Sequence, residues 1–346
     1  MRAASGRGGA LRAALAALCL AGLGAAGQAR ADSCSATLSN LSFSAVSPIS
    51  VTDYFTTGTG SVSCTWNLLS ATPPFLLLFP NVVVCVYAGL GSNSLSSNPR
   101  TMGNGANRLE YNLYRNATYT PAAIWGQPSL AATPTPFTMT LTSPSLIVGG
   151  TIAQAFTVYG KISAGTTLAA VPTVANSNTS YLSSFTGNAS ISYAFYNLIA
   201  PACTAGGSAV FTFQADATVI NNCTISAAPL AFGTKGVLSS VSRSTANLSV
   251  QCVNNNAYQI ALNGGSVALN VANRQMKNIV GVEQVAYRLS ASLDGPLWGD
   301  GSAGTSVYAG TGNGAAQTVT VYGMVPVQGT PAPGDYKDTV TATIYF

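Results

Sequence analysis

The chain says the same thing twice. Arg100-Thr101-Met102 returns as Arg274-Gln275-Met276, and Leu109-Glu110-Tyr111-Asn112-Leu113 as Val285-Ala286-Tyr287-Arg288-Leu289. Trp125-Gly126 returns as Trp298-Gly299, and Phe156-Thr157-Val158-Tyr159-Gly160 as Val319-Thr320-Val321-Tyr322-Gly323. The order is kept, and the offset between halves stays near 174 from Arg100 to Trp125. That period is far above the 20–50 residues of a solenoid, so the repeat is a duplicated domain. Whatever one half folds into, the other must approximate.

The residues ahead of the repeat read as an export signal. Arg2, Arg7 and Arg12 precede an apolar run from Ala13 to Gly27, and Ala29-Arg30-Ala31 offers a small-x-small cleavage site. Residues 1–31 are therefore assigned as a signal peptide. Its removal takes Cys19 and four of the 14 Lys and Arg, leaving ten against nine Asp and Glu. A chain this close to neutral has no basic stripe for phosphates, so nucleic acid is not expected as a partner.

Six cysteines remain: Cys34, Cys64, Cys85, Cys203, Cys223 and Cys252. An even number in an exported chain points to disulfides. Cys34 and Cys64 lie 30 positions apart, Cys223 and Cys252 29. The matched gaps suggest one bridge made twice, which leaves Cys85 with Cys203.

Both halves read as strands. Residues 246–253, 258–262, 318–322 and 339–346 alternate apolar with polar side chains, between clusters of Gly, Pro and Asn. No useful amphipathic helical window follows the signal. The expected fold class is all-β, two tandem antiparallel sandwiches.

Enzyme chemistry is not expected. The sequence contains no histidine, the usual general base and metal ligand. No CxxC pair or close carboxylate cluster suggests a metal, so neither metal nor cofactor is expected. Gly310-Thr311-Gly312-Asn313-Gly314 lacks the lysine and helix of a phosphate loop and reads as a hairpin turn.

The second half resembles a spore coat U domain, the pilin domain of archaic Csu-type chaperone–usher pili. The residues that carry the resemblance are Cys223, Leu230-Ala231-Phe232-Gly233, Cys252, Arg274-Gln275-Met276, Tyr287-Arg288-Leu289, Trp298-Gly299-Asp300, Val321-Tyr322-Gly323 and residues 334–340, GDYKDTV. The first half keeps Cys34, Phe43, Cys64, Arg100, Tyr111, Trp125 and Tyr159-Gly160, but its last motif is degraded to residues 181–187, YLSSFTG. The resemblance implies immunoglobulin-like pilin folds, each lacking a final strand that a chaperone or neighbour supplies. It implies as partners a periplasmic chaperone, an outer-membrane usher and an adjacent pilin subunit joined by donor-strand exchange. It also implies delivery through the periplasm to a pilus at the cell surface.

A candidate for such a strand precedes Cys223. From Phe211 the odd positions Phe211, Phe213, Ala215, Ala217 and Val219 are apolar and the even positions polar; Val210 is out of phase. This segment follows the first domain directly, so it is expected to complete that domain within the chain. A plain extended linker is the alternative. The expected division is 32–206 for the first domain, 207–222 for linker and strand, and 223–346 for the pilin domain. Only Asp32 and Ser33 precede Cys34 after cleavage, too few for a donated strand. The chain is thus expected to accept a strand and give none, as a subunit at the free end of a fibre would.

The first half carries three apolar additions. Cys64 to Asn81 spans 17 positions where Cys252 to Asn256 spans 4, an excess of 13 that includes Phe75, Leu76, Leu77, Leu78 and Phe79. A second excess, of ten, includes Leu146, Ile147 and Val148. A third, of eight, includes Leu168, Val171 and Val174. Apolar loops are either extra core or a sticky surface. The resemblance implies the second, hydrophobic fingers of a two-domain tip subunit that bind hydrophobic host or abiotic surfaces and support biofilm formation. Two alternatives stay open: a structural coat or fibre protein without adhesive activity, and a sugar-binding tip using Trp66, Tyr87 or Tyr119.

Overall fold

The computed structural model describes residues 32–67, 80–130, 135–145, 149–202 and 205–346. The predicted signal peptide, Phe75 to Phe79, Leu146 to Val148 and Cys203 lie outside these residues. Among the described residues no helix is long and apolar enough to cross a membrane.

The first domain is built from β1 (Ser33–Leu38), β2 (Leu41–Val46), β3 (Tyr54–Trp66), β4 (Asn81–Ala88), β5 (Arg100–Asn104), β6 (Asn107–Tyr114), β7 (Phe137–Thr142), β8 (Gly150–Ile162), β9 (Thr179–Ser184), β10 (Ala189–Tyr196), β11 (Gly207–Phe211) and β12 (Gln214–Val219). One sheet runs β1-β3-β8-β6-β5-β9-β12-β2, the other β11-β10-β4-β7. The second domain holds β13 (Cys223–Ala227), β14 (Ser242–Cys252), β15 (Ala257–Leu262), β16 (Arg274–Asn278), β17 (Gln284–Ser290), β18 (Tyr308–Thr311), β19 (Ala316–Val325), β20 (Tyr336–Lys337) and β21 (Ala342–Tyr345). Its sheets run β13-β14-β19-β17-β16-β20 and β18-β15-β21.

The two orders superpose strand for strand. β1, β3, β8, β6, β5 and β9 correspond to β13, β14, β19, β17, β16 and β20, and β10-β4-β7 to β21-β15-β18. Three strands of the first domain, β2, β11 and β12, have no counterpart.

Repeated residues do repeated work. Cys34 faces Cys64 across β1 and β3, Cys223 faces Cys252 across β13 and β14, and both pairs are bonded. Cys85 is also in a disulfide. Trp125 donates its indole N–H to Val86 O at 2.8 Å, and Trp298 to Ile260 O at 2.8 Å. Each ring plugs its core while its one polar atom is satisfied by the facing sheet.

The repeated arginines are buried cations held by carbonyls. Arg100 donates to Gly89 O, Ala88 O, Trp125 O and Asn112 Oδ1; Arg274 donates to Asn263 O and Leu262 O. Burial, the largest influence, lowers the Arg100 pKa to about 10, still charged at neutral pH. The guanidinium thus ties the start of β5 to the end of β4 in the opposite sheet. Replacing Asn112 with Leu strips one acceptor from a buried charged donor. That substitution is expected to cost about 1–3 kcal/mol. Denaturant unfolding of the full chain checks it: the transition of the first domain moves and that of the second does not.

Candidate functional site

The difference between the two domains lies along one edge. In the first domain β12 runs antiparallel to β9 and parallel to β2, with Ala217 opposite Tyr181 on one side and Phe43 on the other. β11 pairs with β10 in the second sheet. The chain leaves one sheet at Phe211 and enters the other at Gln214. The alternation expected over Phe211 to Val219 is therefore two strands, broken at Thr212 and Phe213, because the segment adds a strand to each sheet.

Phe211, Phe213, Ala215, Ala217 and Val219 are all buried, while Val210 is 76% exposed. Phe213 stacks on Phe185 with centroids 4.2 Å apart and on Trp125 at 5.7 Å. Phe185 N–H donates to Phe213 O, and Gln214 N–H to Asn40 Oδ1. Fully burying a Phe or Val side chain stabilises by about 1.5–3 kcal/mol each before ordering costs. Small residues at 215 and 217 leave room for Tyr181 and Phe43 on the adjoining strands.

The second domain has the walls of this slot without the filling. Leu230 and Phe232 occupy the place of Leu41 and Phe43. They pack against Gly323 as Phe43 packs against Gly160, at a distance that leaves no space for a Cβ. Ser244 Oγ holds Ala231 O as Thr56 Oγ1 holds Ser42 O. Yet no strand lies between Leu230–Phe232 and β20. Leu41 and Phe43 are sealed, whereas Leu230 and Phe232 are only half-buried. Tyr181 and Phe185 are sealed too, whereas Tyr336 and Val340 at the same positions are half-buried. β20 and β21 each keep one backbone edge unpaired.

A polar contact lies beside the slot. Tyr287 O–H donates to Asp338 Oδ2 at 2.6 Å, and Asp338 Oδ1 accepts from Ser266 and Val267 N–H. Burial first, then this hydrogen bond, raises the Tyr287 pKa, so the phenol stays a donor at neutral pH. In the first domain Ser183 stands where Asp338 does, opposite Ala215.

The apolar additions have different fates. Leu168 and Val171, expected on an exposed finger, are buried at 2% and 3%, and only Val174 is exposed, at 47%. Both belong to the first domain's core, and the residues around them make the domain junction. A single helical turn, Thr166–Ala169, turns Leu168 inward. Pro172 then bridges to Asn254, and Asn254 Nδ2 donates to Ala170 O. Buried Thr173 and Asn256 hydrogen-bond each other, and Asn176 holds the backbone of Ala257. This addition therefore joins the two domains. Of the rings considered for sugar binding, Trp66 and Tyr87 are buried and Tyr119 sits in an aromatic cluster.

The spore coat protein U domain matches residues 21–173 and again 209–343. This chain belongs to the spore coat protein U domain family. The family thus covers both halves of the duplication. A search of curated proteins returns no match. Among solved structures, the chaperone–tip subunit pre-assembly complex CsuC–CsuE of Acinetobacter baumannii aligns over 91% of this chain and 100% of that one, at 16% identity and a TM-score of 0.49. The CupB6 tip adhesin of Pseudomonas aeruginosa aligns over 90% and 94%, at 10% identity and a TM-score of 0.34.

Phe213→Ala is expected to destabilise the first domain by about 3–5 kcal/mol, the cost of emptying a buried aromatic site. Val210→Ala, on the exposed face of the same segment, is expected to stay within about 0.5 kcal/mol of the parent. Equilibrium unfolding of the full chain compares them directly.

Proposed function

We propose that this spore coat U protein is the adhesive tip subunit of a chaperone–usher pilus. The observation that carries the reading is the contrast between the two slots. β12 fills the first domain from within the chain, and the equivalent slot of the second domain is open. A chain built this way has one strand-accepting site. Joined to a fibre through its second domain, it leaves a self-sufficient first domain projecting.

The donor would enter by β-augmentation, with main-chain bonds to β20 giving affinity and alternate side chains filling the half-covered core. The first domain supplies the pattern: bulky residues toward Val340, small ones opposite Asp338 and Tyr336. Until the neighbouring pilin arrives, an exposed apolar slot with free edges is an aggregation hazard. A periplasmic chaperone strand would cover it, and an outer-membrane usher would exchange that strand for the pilin's.

Adhesion is assigned to the first domain, through Phe75 to Phe79 and Leu146 to Val148. Leu168 and Val171 are withdrawn from that role, because they are buried in the first domain's core. Apolar contact contributes about 25 cal/mol per Å² before ordering costs. A few exposed side chains hold weakly per tip and strongly across many fibres.

Two tests separate assembly from adhesion. Residues 223–346 alone are expected to aggregate. They are expected to become a soluble, cooperatively melting monomer when a copy of residues 197–222, with its cysteine changed to serine, is joined after Phe346. Cooperative melting of the unextended fragment would refute the open-slot reading. Separately, replacing Leu76, Leu77 and Leu78 with Ser is expected to leave secretion and fibres intact and reduce attachment to hydrophobic surfaces. Normal fibres with undiminished attachment would move the binding surface elsewhere.

A further inference from the structure

The duplication also exposes a second difference, on the outer face of the larger sheet. In the first domain Tyr119 lies at the centre of an aromatic nest. Its ring is 4.7 Å from that of Phe55, 5.3 Å from Tyr114 and 6.3 Å from Tyr159. Its backbone is held at φ 52°, an uncommon conformation for a tyrosine, to present that ring. Tyr119 comes from the connection after β6, which is three residues longer than its counterpart after β17.

The strand registers locate the same spot in the second domain. Phe55 and Asn112 both stand opposite Lys161, as Arg243 and Arg288 both stand opposite Met324. Tyr114 stands opposite Tyr159, as Ser290 stands opposite Tyr322. Thus Arg243, Ser290 and Tyr322 replace Phe55, Tyr114 and Tyr159, and Asp294, at φ 53°, stands where Tyr119 does, with a much smaller side chain. A groove of about 810 Å³ opens there, lined by Arg243, Arg288, Leu293, Asp294, Tyr322 and Met324.

Charge in the groove is not balanced. Arg243 is spoken for, with Nε and Nη2 each 2.9 Å from an oxygen of Asp294. Arg288 is exposed, and no ion pair among the described residues involves it. The groove therefore offers an apolar floor at Met324 and Tyr322, an exposed Leu293 and one unpaired guanidinium.

We propose that this groove docks a loop of a partner protein that presents an aromatic side chain beside an Asp or Glu. The ring would lie on Met324 and Tyr322, as Tyr119 lies on Tyr159 in the first domain. The carboxylate would pair with Arg288, where planar two-point pairing favours arginine over lysine. This site is on a different face from the strand slot, so it does not depend on the function proposed above.

The test uses the full chain with methyl-labelled methionines and the capped peptide Asp-Tyr-Asp as probe, followed by NMR. The Met324 methyl, identified by Met324→Leu, is expected to shift saturably while those of Met102 and Met139 stay still. Arg288→Glu is expected to weaken the peptide by about tenfold or more, with an unchanged Met276 signal showing that the domain remains folded. Asn-Tyr-Asn and Asp-Leu-Asp are both expected to bind more weakly. An unmoved Met324 at millimolar peptide, or equal binding to Arg288→Glu, overturns the proposal. So does a Met324 shift caused by an oligogalacturonate and not by the peptide, which would make the groove a site for acidic sugar.

Discussion

A β-sandwich is stable only when its sheet edges and inner faces are covered, and that requirement organises this protein. A bare edge leaves backbone N–H and C=O groups without partners, and a missing strand leaves apolar side chains in water. The first domain meets the requirement with residues 207–222 of its own chain. One short stretch adds a strand to both sheets and wedges Phe213 between Phe185 and Trp125. The second domain has the same walls, the same buried arginine and the same tryptophan plug, and no strand in the slot. Its half-covered Leu230, Phe232, Tyr336 and Val340 mark what is missing.

The common framework explains why this gap does not undo the fold. In each domain the disulfide fixes the first strand to its neighbour, the tryptophan ties the sheets through one indole bond, and the arginine ties them through carbonyls. These anchors hold the strand order of the second domain although its slot is open.

Much of this was legible in the sequence, for identifiable reasons. Duplicated motifs such as Arg100 and Arg274 serve the same packing problem twice, so their spacing reported the duplication. Cysteine spacing reported two bridges because Cys34–Cys64 and Cys223–Cys252 join corresponding registers. Alternation reported the buried positions of residues 211–219, since a half-buried strand has period two. It could not report the break at Phe213, because the side-chain pattern survives a change of sheet. Leu168 and Val171 misled because hydrophobicity is the same in a finger and in a core. What the sequence does not show is that the same segment is pinned through Ala170, Thr173 and Asn176 to Asn254, Asn256 and Ala257, some 80 residues away. The groove beside Arg288 was equally hidden, since it opens where the small Asp294 and Ser290 stand in place of Tyr119 and Tyr114.

The central claim is that one domain is completed from within and the other awaits a strand. Hydrogen exchange of the full chain, with and without a bound donor strand, tests it most directly. The account predicts that amides in residues 179–184 and 214–219 are strongly protected in both states. It predicts that those in residues 336–345 exchange fast in the free chain and become protected on strand binding. Equal and strong protection of 336–345 in the free chain, unchanged by added strand, would contradict it.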